Sequence, residues 1–278
     1  MKIRVLVENI PQEELGAEHG LSLLIEYKEK TYLLDAGQSG LFMDNAKALS
    51  VDLSKVEVGV LSHGHYDHAG GFEAFLEKNN IKIYAMKNIV GEYFSAKGGM
   101  HEIGVPKEVY PRYSENFVLV DSVTEINDDV YIVPHRTKGL EKIGERTGLF
   151  KKQNGEIIGD DFAHEASLVF DTKNGLVIFN SCSHGGICNI IEEVKEVFPN
   201  KNIKAFLGGL HMMGMKNGEE YCAFTDEEIQ EITAFLEKEK VEKIYTGHCT
   251  GLVGFNKIKK MYGEDKVEYL SIGKEINI

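Results

Sequence analysis

Ser62-His63-Gly64-His65-Tyr66-Asp67-His68-Ala69-Gly70-Gly71 carries three imidazoles and a carboxylate within six positions. An apolar run, Val56 to Leu61, precedes it, and a helix-like spacing of Phe72, Phe75 and Leu76 follows. The cluster therefore falls where a buried strand ends and a helix begins. In an extended strand end, His63 and His65 project to the same side, because side chains alternate with a period of two. The chain then turns, so that Asp67 and His68 face that pair. Zn²⁺ takes neutral imidazole nitrogen and carboxylate oxygen as ligands, as do other first-row metals. Four ligand-type side chains at this spacing predict a metal site rather than surface histidines in a turn.

The pattern His-x-His-x-Asp-His resembles the signature of the metallo-β-lactamase-fold superfamily of metallohydrolases. Leu33-Leu34-Asp35-Ala36-Gly37 resembles that superfamily's early Asp-Gly strand end, and the resemblance runs from about residue 2 to 270. Glu18-His19-Gly20-Leu21-Ser22, Cys182-Ser183-His184-Gly185-Gly186, Gly208-Gly209-Leu210-His211 and Gly247-His248-Cys249-Thr250-Gly251 together resemble one branch. That branch is similar to the archaeal 7,8-dihydropterin-6-methyl-4-(β-D-ribofuranosyl)-aminobenzene-5′-phosphate synthases. The resemblance implies an α/β fold of the αβ/βα sandwich type, with two mixed sheets flanked by helices. Periodicity alone would not separate this from other α/β folds.

A chain of 278 residues is long enough for a large core and sits near the upper limit of a single domain, which is the organisation expected over 1–278. Apolar residues at 42% and charged residues at 27% are ordinary for a globular protein. A net charge of −13 argues against a nucleic-acid-binding surface. No apolar run approaches the roughly 20 residues that span a bilayer, so no membrane association is expected. The N-terminus lacks the features of a signal peptide. Cysteines 182, 188, 222 and 249 are scattered singly, which fits a reducing cytoplasmic location.

Strands are predicted at 3–8, 21–27, 31–35, 56–61, 81–86, 117–120, 130–133, 166–171, 175–180, 203–207 and 242–246. Helices are predicted at 39–49, 185–198, 226–239 and 251–262. Thr225 with Glu228 forms a capping-box signal, and Ile229, Ile232 and Leu236 follow on one face. Two stretches, 88–116 and 135–165, lack core periodicity and read as inserted functional loops.

His184 follows the strand Gly175–Asn180 and His248 follows the strand 242–247. Both stand where the resemblance implies later ligand histidines. The expected ligands are thus His63, His65, Asp67, His68, His184 and His248, with His63, His65 and His184 forming the tighter site. Asp35 is expected to orient a ligand histidine through its other ring nitrogen. Asp67 and His211 are the catalytic candidates, the first to hold or deprotonate water and the second to stabilise charge or protonate a leaving group. Many binuclear relatives carry a bridging aspartate where this chain reads Asn180-Ser181-Cys182-Ser183-His184, with no carboxylate. A second ion, through Asp67, His68 and His248, is therefore expected to bind more weakly. Cys182 reads as a small buried residue rather than a thiolate ligand. No role is readable for Glu18 or His19, and His101, His135 and His164 read as exposed loop residues.

The function expected is a metal-dependent hydrolase, with one or two zinc ions, or iron or manganese in their place. Its partner is a small-molecule substrate that is anionic or phosphorylated. Residues 135–152 carry six basic and two acidic residues, a net +4 in an acidic chain. Arg136 and Arg146 in this run are candidates to clamp phosphate or carboxylate. Two other classes stay open at this point: a transferase joining a pterin diphosphate to an aminobenzene ribose phosphate, and a non-hydrolytic iron-binding redox protein.

Overall fold

The computed structural model describes residues 1–278, which fold into two compact units. The first comprises 1–122, 138–166 and 271–278, and the second 123–137 and 167–270.

A seven-stranded mixed sheet organises the first unit, in the order Glu275–Asn277, Lys2–Val7, Ser22–Tyr27, Lys30–Leu34, Val58–Val60, Lys82–Met86 and Phe117–Val120. Hairpin-linked strands pair antiparallel on one side, while Lys30–Leu34, Val58–Val60, Lys82–Met86 and Phe117–Val120 run parallel. Parallel neighbours need crossovers, and the helices Leu41–Ala48 and Phe72–Leu76 lie in two of them. Leu34 is in register with Val60, so the two strands end side by side. The Asp35 amide accordingly donates to the Val60 carbonyl at 2.9 Å. This register brings the end of one strand to the start of the histidine cluster.

The stretches read as loops are more ordered than their sequence suggests. Tyr93–Ser95, His101–Glu102, Leu149–Gln153 and Glu156–Gly159 form a four-stranded antiparallel sheet, with a helix at Glu141–Thr147. Tyr93, Ile103, Leu140, Leu149 and Phe162 make its small buried core. Few apolar residues per strand explain why no period was visible, and Ile157 and Ile158 even face outward.

The second unit has its own seven-stranded mixed sheet, ordered Val267–Tyr269, Ile244–Thr246, Ile203–Leu207, Gly175–Phe179, Ala166–Thr172, Val130–Pro134 and Thr124–Asn127. Helices Ile187–Val197, Asp226–Lys238 and Gly251–Tyr262 bury Ile190, Val194, Ile229, Leu236 and Ile258 in one apolar cluster with Phe206 and Ile244. The capping box forms as the sequence predicts: Glu228 N donates to Thr225 Oγ1 at 3.2 Å, and Thr225 N donates to Glu228 Oε2 at 2.8 Å. Such a cap contributes about 1 kcal/mol. No helix is long and apolar enough to cross a membrane.

Candidate metal centre

In the first unit, His63, His65, Asp67 and His68 are all buried, although each is polar or charged. Asp35, fully buried at the end of its strand, organises them. Its Oδ1 accepts from the Ser62 amide at 2.7 Å, and its Oδ2 lies 2.7 Å from both Ser62 Oγ and His68 Nδ1. Ser62 Oγ in turn lies 2.8 Å from His63 Nδ1. A carboxylate accepts only, so the single hydroxyl proton of Ser62 goes to Asp35, and Ser62 accepts from His63 Nδ1–H. His68 donates its Nδ1–H to the same carboxylate. This network places a proton on Nδ1 of both rings, so that each, when neutral, turns Nε2 toward a metal as its donor. Asp35 thus acts on His68 directly and on His63 through Ser62. The serine escaped the sequence reading, although its place directly before His63 was the available signal.

His65 has an extended backbone, φ −112° and ψ 148°, just before the short helix Tyr66–Ala69 that carries Asp67 and His68. Its ring meets His63 edge-on with centroids 4.6 Å apart. His68 Nε2 lies 3.5 Å from Asp67 Oδ2, close enough for both to share one ion. The donor set, neutral imidazole with carboxylate, fits zinc and other first-row divalent ions. Burial, and then the Asp67 charge, push the neighbouring Tyr66 hydroxyl above the usual phenol range.

His164, expected to be exposed, is fully buried. Its Nδ1 accepts the Gly64 amide at 2.9 Å, and its Nε2 lies 2.9 Å from Asp160 Oδ2, to which it donates. Both ring nitrogens are therefore committed. His65, Asp160 and His164 bring donor atoms within ligand range of one another, but this use of His164 makes it a support for the His63–His65 turn rather than a ligand. His101 is exposed, as expected.

In the second unit, His184 and His248 are buried and His211 is partly buried. The His184 and His211 rings stand 4.7 Å apart. Ser183, His211 and His248 have φ of 54°, 50° and 51°, the left-handed region that non-glycine residues seldom adopt. Side chains hold these turns: Ser183 Oγ donates to the Gly209 carbonyl at 2.6 Å, and Leu210 N donates to Thr250 Oγ1 at 2.8 Å. Cys182 is buried, and its carbonyl accepts from Cys249 Sγ at 3.4 Å. Burial alone would push the Cys249 thiol up, but hydrogen bonds with Cys182 and His211 and the charges of His248 and His211 lower it overall.

His135, also expected to be exposed, is a second correction. Its side chain is only 4% exposed, and its Nδ1 donates to Glu193 Oε2 at 2.8 Å. Glu193 Oε1 also accepts the amides of Arg136 and Thr137, at 2.7 and 2.8 Å. Burial pushes the Glu193 carboxyl up, but the His135 hydrogen bond and charge and the two amides outweigh it, and its pKa falls below the usual range. A lowered carboxylate pKa stabilises the fold above the unfolded value, near 4.3, and that contribution is lost as pH falls through the folded pKa. Glu193→Gln is therefore expected to be less stable than the parent at pH 7, with the gap closing toward pH 3. Thermal unfolding across pH checks this, and a gap that does not change with pH would refute it.

The basic run 135–152 is not one open loop. Glu193 anchors residues 135–137, a helix follows, and Arg146 sits exposed in that helix's last turn. Arg136 is exposed and belongs to the other unit. Gly144 serves packing rather than movement, since a Cβ there would lie 2.4 Å from the Asp160 carbonyl oxygen.

The sequence profile of the metallo-β-lactamase superfamily matches residues 15–143. The crystal structure of a metal-dependent hydrolase of the β-lactamase superfamily is 32% identical, with a TM-score of 0.82 over 100% of this chain and 99% of that one. The 7,8-dihydropterin-6-methyl-4-(β-D-ribofuranosyl)-aminobenzene-5′-phosphate synthase of Methanocaldococcus jannaschii is 29% identical over 99% of this chain and 96% of its own length. Zn²⁺-bound PqqB from Methylobacterium extorquens shares the fold at 13% identity, with a TM-score of 0.59 and all of both chains covered. With two mixed sheets flanked by helices and a full-length relative at 32% identity, the chain belongs to the metallo-β-lactamase superfamily and is an enzyme of that superfamily.

Proposed function

We propose that this enzyme is a metal-dependent hydrolase acting on a small anionic, phosphorylated substrate. The observation that carries the reading is the Asp35–Ser62 network, which engages Nδ1 of His63 and His68 and leaves Nε2 as the donor each neutral ring offers a metal. His63, His65 and His184 are the residues assigned to hold the tighter ion, and Asp67, His68 and His248 the second. Zinc is the ion proposed, and iron and manganese accept the same donors. When bound, such an ion lowers the pKa of its water from 15.7 to about 7 and polarises an ester or phosphoryl oxygen.

The chain's own groups complete the reaction. Asp67 orients the attacking water and accepts its proton, and His211 donates a proton toward the leaving group. Arg136 and Arg146 bind the anionic end of the substrate. The full-length likeness to a synthase favours one alternative, transfer onto an aminobenzene ribose phosphate with departure of diphosphate.

Elemental analysis of the purified protein, followed by turnover assays with the metal found, tests the proposal. Hydrolysis of phosphodiesters or phosphate-bearing esters is expected. Replacing Arg136 and Arg146 with alanine should raise KM roughly tenfold, the worth of one charge-assisted hydrogen bond, with metal content intact. A metal-free protein, or coupling of the pterin and aminobenzene substrates without hydrolysis, would overturn it.

A further inference from the structure

Glu18-His19-Gly20 stands out in the sequence, and the hydrolytic scheme gives it no task. The first unit builds this tripeptide with unusual care. Glu18 Oε1 accepts the amides of Gln38 and Ser39 at 2.9 and 3.0 Å, and its Oε2 accepts Ser39 Oγ–H at 2.6 Å. Asn9 Oδ1 accepts the Gly20 amide at 3.1 Å. Gly20 has φ +152°, and a Cβ there would stand 2.3 Å from the Asp67 carbonyl oxygen. The loop is thus locked flush against the backbone of Asp67.

The lock delivers one side chain. His19 Nε2 lies 3.3 Å from Asp67 Oδ2, with 47% of its side chain exposed. His68 Nε2 lies 3.5 Å from the same oxygen. Asp67 Oδ2 thus has two imidazole nitrogens within 3.5 Å, a spacing over which donors can share one ion. A simple imidazole–carboxylate contact with an exposed ring is worth little, which leaves such a rigid mount unexplained.

We propose that His19 is a further ligand of the second metal ion, beside Asp67 and His68. This inference rests on the metal-dependent reading. It also supplies a donor in a chain with no carboxylate at 180–184, and the exposure of His19 makes the ion exchangeable. Loading needs no net proton release from His19: the neutral ring moves its proton to Nδ1 through solvent and offers Nε2.

Calorimetric titration of the metal-stripped full chain with Zn²⁺ alone tests this. The parent should show two classes of site. His19→Ala and His19→Asn should leave the tighter class unchanged and weaken the second by at least about tenfold, the lower bound for even outer partners of metal ligands. In nuclear magnetic resonance spectra of the ring nitrogens, the His19 Nε2 signal should shift with the second equivalent, not the first. Unchanged affinities in both variants, or a single class in the parent, would overturn the inference. A parent that binds no zinc at all would instead remove the metal-dependent reading.

Discussion

His65→Ala is expected to strip most of the metal from the protein and to lower turnover by at least about 10³-fold, about 4 kcal/mol of transition-state stabilisation. The substitution is clean for a structural reason. The His65 carbonyl accepts the amides of His68 and Ala69 at 3.2 and 3.1 Å, and alanine keeps these backbone bonds that start the short helix. The Asp35–Ser62 network touches His63 and His68, so it too stays in place. What disappears is one buried imidazole packed against His63, His164 and Tyr93. Metal content per chain, measured beside turnover and circular dichroism, checks the prediction. Full metal content in a folded His65→Ala protein would remove His65 from the ligand set.

A different failure is expected from His164→Ala. Its imidazole satisfies two buried groups at once, the Gly64 amide and the Asp160 carboxylate. Alanine strands the Gly64 amide and takes one partner from the buried Asp160 carboxylate, which keeps the Phe162 amide at 2.9 Å. The loss is expected to be about 3 kcal/mol, lowering the unfolding midpoint by roughly 6–12 °C. Gly64 lies between two of the histidines proposed as ligands, so zinc affinity should also fall about 10–100-fold, as for other outer partners of ligands. Asp160→Asn should be milder, because an amide oxygen still accepts from His164 Nε2–H. Differential scanning calorimetry and zinc titration read the two effects separately. An alanine variant with unchanged midpoint and affinity would reduce His164 to a packing residue.

The main strands and the long helices were legible because each buries a continuous or periodic apolar face. The helix Asp226–Lys238 also announced its start through Thr225 and Glu228. The histidine cluster was legible because its donors are consecutive in the chain. His164 and His135 were misread for the opposite reason. Each is buried by a carboxylate partner, Asp160 or Glu193, and for His135 that partner is 58 positions away. Nothing local separates a histidine with such a partner from one in water. The four-stranded sheet was missed because its strands are short and its core is assembled from single residues, such as Tyr93 and Phe162, far apart in sequence.

Asp35, Ser183, His211 and His248 all hold left-handed backbone, with φ between 50° and 58°. For residues bearing a Cβ this costs about 1 kcal/mol each, and glycine or asparagine would relieve it. At His211 and His248, whose proposed roles need the imidazole, the substitutions that relieve the backbone also remove the side chain those roles depend on. Selection for heat tolerance alone should enrich glycine and asparagine there and return robust but inert proteins. Lineages that abandoned catalysis while keeping the scaffold should carry the same mark.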